Sequence, residues 1–217
     1  MKPTDELMTL LTPGAPEIRT ALEQFPDALA RPSMDWDALL DPIGEALAHG
    51  RPDHATPPEA SPVILYPGLA RDSLAMRPVL RLCRRLGLAP QDWGRGVNMG
   101  PTDNVERFMA ELAADVQETA FRAGAPVSLV GWSLGGVYAR EIARLAPEAV
   151  RQVIAIGSPA HYAGDAFGVR WLLRWAARTG RADVRALLAL LRRPLRAPFV
   201  CLSALADGSV KRLPALA

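Results

Sequence analysis

The chain has 217 residues, 49% of them apolar and 22% charged, with a formal net charge of +2. That composition suits one domain with a sizeable core and excludes a disordered, fibrous or membrane-embedded class. No apolar stretch reaches the roughly 20 residues of a membrane helix, and the opening MKPTDELMTLLTPGAPE carries two early acids instead of a secretory h-region.

Charge is unevenly placed. Residues 1–60 hold 4 Lys/Arg against 11 Asp/Glu, whereas the rest hold 21 against 12. An acidic flank and linker over 1–60, attached to a main body over 61–217, is expected. No helix-turn-helix, finger or aromatic RNA-binding motif accompanies the basic half, so no nucleic-acid partner is expected. Cys83 and Cys201 lack metal-ligand spacing and read as buried free thiols in a reducing, cytoplasmic setting. No metal and no organic cofactor is implied.

In chain order, Ile18, Leu22 and Phe25 suggest one flank helix, and Trp36, Leu39, Leu40, Ile43 and Leu47 a second. RPDHATPPEASP (51–62), with four prolines, reads as a linker or surface loop. VILYPG then predicts a buried strand ended by Pro-Gly. Leu74, Met76, Val79, Leu80, Cys83 and Leu86 give a helix stopping at Gly87. QDWGRG is a weak strand. In the strong helix that follows, Asp103 and Glu106 suit a capping box, and Val105, Phe108, Met109, Leu112 and Val116 share one face. PVSLVG is a buried strand, and Leu134, Val137, Tyr138, Ile142 and Leu145 make a helix running into Pro147. VRQVIAIGSP and APFVCLSA supply two more strands. Buried strands alternating with amphipathic helices predict an α/β fold, a mostly parallel sheet with helices on both faces.

Between those last strands lies a helical insertion, 161–196. Arg170, Arg174, Arg178, Arg181 and Arg185 form a basic stripe beside Trp171, Leu172 and Trp175. It reads as a lid or a peripheral lipid-contact face, or as the solvated side of a packed helix.

VSLVGWSLGG (127–136) poses the chemical question. Composition alone yields Gly-x-Ser-x-Gly in about one such chain in twenty, so the surroundings must decide. Here a buried strand ends at Gly131 and a helix begins at Leu134. So abrupt a turn strains the backbone of Ser133 and presents its hydroxyl over the sheet edge. Side chains at 131 and 135 would collide, hence Gly131 and Gly135 on either side of Trp132 and Ser133. The Leu134 amide is then a free donor at a helix N-terminus, placed to hold an oxyanion; one such donor is worth about 3 kcal/mol. The alternative is a serine that merely caps the helix.

Strand-GWSLGG-helix, with YPGLARDSLAMRPVL (66–80) and DWGRGVNMGPT (92–102), resembles the α/β-hydrolase superfamily, particularly its lipase- and esterase-like bacterial members. The likeness covers 62–160 well and 197–210 loosely. It implies Ser133 as nucleophile, a second oxyanion amide at Leu69 in the loop after the first strand of the body, and an acid at Asp207. Asp207 also fits an Asp-Gly turn.

The resemblance implies the order serine, acid, histidine, yet the histidines are His49, His54 and His161, and none follows Asp207. The chain therefore reads as shortened at its C-terminus. SVKRLPALA lacks the pattern of a closing strand and helix, so an unpaired sheet edge open to self-association is expected. His161, four residues past Gly157, is the candidate base, given strands about 4.8 Å apart; otherwise it is a solvated loop residue. His49 and His54 reach the site only if the flank folds over it. Two functions follow. One is hydrolysis of an ester with a small apolar acyl group through a Ser133 acyl-enzyme. The other is a catalytically impaired hydrolase-fold binding module; acyl transfer to another alcohol would use the same machinery.

Overall fold

The computed structural model describes residues 36–49, 61–101, 104–158, 193, 195, 197–204 and 210–213. The expected helix around Ile18, His54, His161, the arginine stripe at 170–185 and Asp207 lie outside these residues.

Strand β1 (Pro62–Tyr66) starts where the proline-rich stretch ends and is buried throughout. β2 (Ala89–Asp92) is short and partly exposed, with Pro90 inside it, as an edge strand tolerates. It begins two residues before the predicted QDWGRG and stops ahead of Gly94 and Gly96, whose φ values of +71° and +65° break extended pairing. β3 (Val127–Trp132) and β4 (Val150–Ile156) are almost wholly buried. Apolar side chains at successive positions point to opposite faces, so both faces must be covered. β5 (Phe199–Ala204) and β6 (Val210–Leu213) complete the described strands. They form one sheet in the order β2-β1-β3-β4-β5-β6, parallel from β2 through β5.

The closing segment departs from expectation. β6 pairs antiparallel with β5, Cys201 opposite Leu213 and Ala204 opposite Val210. The edge of β5 is therefore covered, and among the described residues the outer edge of the sheet on that side is β6. An antiparallel return is held by backbone hydrogen bonds and needs no apolar run, so the tail's weak pattern misled.

Helix α1 (Trp36–His49) buries Leu39, Ile43, Ala46 and Leu47. It packs on α2 (Arg77–Arg85) and on β5. A short 3-10 turn, Ser73–Met76, leads into α2 and is capped by Asp72, which accepts from the Leu74 amide at 3.0 Å. Helix α3 (Val105–Ala123) ends at Gly124 in the left-handed conformation. Its N-cap is Asn104, accepting from the Arg107 amide at 2.9 Å, and not the predicted Asp103 box. Glu106 instead faces Arg193 at 3.4 Å. Helix α4 (Leu134–Leu145) is buried from Leu134 to Ala143, between α3 and strands β1, β3 and β4. Helix α1 thus packs on α2, and α3 on α4.

Burial of α4 extends to charged residues. Glu141 accepts from Arg144 at 2.7 and 2.9 Å and from Arg193 at 3.1 Å, and Arg140 donates to the Arg193 carbonyl at 2.6 Å. A carboxylate taken from water persists only with such partners. The network ties residue 193 to α4.

Register levels the strand ends. Tyr66 aligns with Gly131, Trp132 with Ile156, and Ile156 with Leu202. The segments leaving β1, β3 and β4 thus emerge side by side at the carboxyl edge, where ligands bind in open α/β sheets.

Candidate active site

Ser133 occupies the step from β3 to α4 with φ 52° and ψ −116°. A non-glycine residue rarely adopts this conformation, which costs on the order of 1–3 kcal/mol. Its amide donates to the Ile156 carbonyl at 2.8 Å, anchoring the step to β4. Its side chain makes no cap bond to α4, so the helix-cap alternative fails.

The flanking glycines are required by contact. A Cβ at Gly131 would lie 2.3 Å from the Gly135 carbonyl oxygen, and one at Gly135 would lie 2.2 Å from the Tyr66 oxygen. Gly136 is nearly as tight, its would-be Cβ 2.6 Å from the Ser158 hydroxyl. Helix α4 and strands β3 and β1 therefore approach backbone to backbone.

The loop after β1 runs directly against this turn. A Cβ built on Gly68 would sit 3.5 Å from Ser133 Cβ and 3.5 Å from the Trp132 ring. Next comes Leu69, buried, and then Ala70 with φ 56°. Among the described residues, Ala70 and Ser133 are the two non-glycine residues with positive φ, and they flank one site. Neither the Leu69 nor the Leu134 amide donates a hydrogen bond among the described residues. An amide without an internal acceptor is free to hold an oxyanion.

Asn98 holds that loop. Fully buried, it donates from Nδ2 to the Pro67 carbonyl at 2.8 Å. Its Oδ1 accepts from the Gly100 amide at 3.0 Å and from the Tyr138 hydroxyl at 3.2 Å. Its backbone bonds both ways, to the Arg71 carbonyl (2.8 Å) and from the Ala70 amide (2.7 Å). One side chain thereby joins the loops after β1 and β2 to α4. Tyr138 is packed between Trp93 and Phe108, and burial pushes its hydroxyl pKa above the usual range. It stays a neutral donor.

Nothing in the sequence around Asn98 marks its role, because a polar residue in a glycine-rich loop carries no periodicity. Arg71 and Gly136 were likewise unassigned. Of the predicted site residues, Leu69, Gly131, Trp132, Ser133, Leu134 and Gly135 come together here, whereas Asp207 and His161 lie outside the described residues.

A parallel sheet whose central strand turns through a strained serine into a buried helix is an α/β-hydrolase-type fold. No family model matches the chain, and no curated protein matches it. Among solved structures it is similar to a monoacylglycerol lipase from Paleococcus ferrophilus, at 16% identity and TM-score 0.46, over 66% of this chain and 74% of that one. It is also similar to the mature lipase BlEst2 of Bacillus licheniformis, at 23% identity and TM-score 0.45, covering 66% and 61% of the two chains. A third likeness is to MGS-MChE2, an α/β hydrolase from a lagoon-sediment metagenome, at 17% identity and TM-score 0.44, over 67% and 68%.

Proposed function

We propose that the chain is a serine hydrolase of carboxylic esters with an apolar acyl group. The observation that carries this reading is the backbone of Ser133, strained at φ 52° between two glycines that backbone contact requires. Such strain persists where the surrounding structure over-determines it. Ser133 Oγ attacks the ester carbonyl carbon while a base takes its proton. The carbonyl oxygen, now negative, is held by the Leu69 and Leu134 amides. Collapse expels the alcohol, which recovers the proton, and water then releases the acid from the acyl-enzyme by the same steps reversed. Asp207 is assigned as the orienting acid on the sequence resemblance, and His161 as the base on its place four residues past Gly157, since no histidine follows Asp207. Trp36 and Trp132, ring centroids 5.7 Å apart, supply apolar surface beside the serine.

A fluorophosphonate probe tests this. Rapid, stoichiometric labelling of Ser133 is expected, absent in Ser133→Ala and lost in His161→Ala. A folded protein that stays unlabelled would instead be a binding module.

A further inference from the structure

Ester hydrolysis as proposed leaves one charged side chain beside Ser133 without a role. Arg71 ends the loop that passes the serine. Its backbone is pinned on both sides, its amide donating to the Gly68 carbonyl at 3.1 Å and its carbonyl accepting from the Asn98 amide at 2.8 Å. The guanidinium lies over the ring of Trp132, 5.9 Å from the centroid. Trp132 is the residue immediately before the nucleophile, and its ring also packs beside the Gly68 backbone.

What sets Arg71 apart is a half-buried position, whereas Arg77, Arg81, Arg84 and Arg85, which also make no ion pair among the described residues, are exposed. Among the described residues its guanidinium makes no hydrogen bond and no ion pair. Arg95 pairs with Glu111 and Asp115, and Arg144 and Arg193 pair with Glu141. The adjacent carboxylate, Asp72, accepts the Leu74 amide and makes no ion pair with the guanidinium, though its charge acts on it from a distance. Burial lowers the Arg71 pKa, with Asp72 partly opposing the effect. An arginine nevertheless remains charged at neutral pH, so the site holds a partly desolvated cation. A cation placed this way gains most from an anion that arrives with the ligand. Its planar fork matches the two oxygens of a carboxylate.

We propose that Arg71 over Trp132 is a carboxylate-binding subsite, and that the preferred substrate is a half-ester. Its ester carbonyl lies at Ser133, its free carboxylate on Arg71, and its methylenes along Trp132. This rests on the hydrolase reading for the position of the ester, and on the half-buried guanidinium over Trp132 for the carboxylate.

The test compares 4-nitrophenyl hydrogen adipate with its methyl ester, which differ by one charge. The wild-type ratio of kcat/KM should favour the anion at least tenfold at low salt and fall as salt screens the pair. In Arg71→Gln the ratio should approach one, while Arg71→Lys keeps part of it. A wild-type ratio near one, or a ratio surviving in Arg71→Gln, overturns the proposal. A second measurement needs no turnover. Monomethyl adipate should perturb tryptophan fluorescence at concentrations at least tenfold below dimethyl adipate, and Arg71→Gln should erase that difference. Fluorescence discrimination without hydrolysis would defeat the hydrolase reading and keep the subsite. Hydrolysis without discrimination would do the reverse.

Discussion

At the scale of single residues, the candidate site depends on a buried side chain that braces its loops. Asn98 fixes the loop bearing Leu69 through Pro67, Ala70 and Arg71. Truncating it removes the Nδ2 bond to Pro67 and leaves the buried Tyr138 hydroxyl without its acceptor. Displacement of a catalytic amide by about 1 Å can lower a rate on the order of 100-fold. Asn98→Ala is therefore expected to depress kcat by roughly that factor with a smaller change in KM, and to slow fluorophosphonate labelling of Ser133 in parallel. Asn98→Asp keeps the acceptor for Tyr138 but loses the donor to Pro67, and should fall between. A rise in KM at constant kcat would place Asn98 in substrate binding instead.

At the scale of elements, the junction of β3, α4 and β1 is set by the absence of side chains. Alanine at Gly135 would drive a methyl into the Tyr66 carbonyl at 2.2 Å, and alanine at Gly131 into the backbone of α4 at 2.3 Å. Neither neighbour is free to rotate away. At Gly136 the obstacle is the Ser158 side chain, and at Gly68 the nearest atoms are at an ordinary 3.5 Å. Urea denaturation should therefore rank the four variants. Gly131→Ala and Gly135→Ala are expected to lose at least the roughly 1–3 kcal/mol typical of overpacking, Gly136→Ala less, and Gly68→Ala least. Equal losses at all four positions would mean that close backbone contact does not set their effect.

Across the whole molecule, burial controls the response to alkali. Burial pushes the Cys83 thiol up to about 12 and the Cys201 thiol up to about 11. An unfolded thiol ionises near 8.5. Above that pH the unfolded chain releases protons that the folded chain retains, so stability must fall as pH rises. The expected slope is about 1.4 kcal/mol per pH unit for each thiol, from roughly pH 9 until the folded groups themselves ionise. Buried Tyr66 and Tyr138, also raised by desolvation, steepen it above about pH 10. Urea midpoints at pH 8 and pH 10 measure this, and a flat profile would show that the thiols are accessible to solvent in the folded protein. By itself the sequence determined the parallel strands, the helices between them and the serine turn, because burial period and glycine spacing are local signals. Tertiary structure alone decided that Asn98 braces the loop of Leu69, that Arg71 rests on Trp132, and that Val210–Leu213 returns antiparallel on β5. The first two contacts join segments far apart in the chain, and a hydrogen bond or stacked cation between them leaves no period in either one. Strand β6 follows β5 closely, but its pairing through backbone bonds demands no apolar pattern.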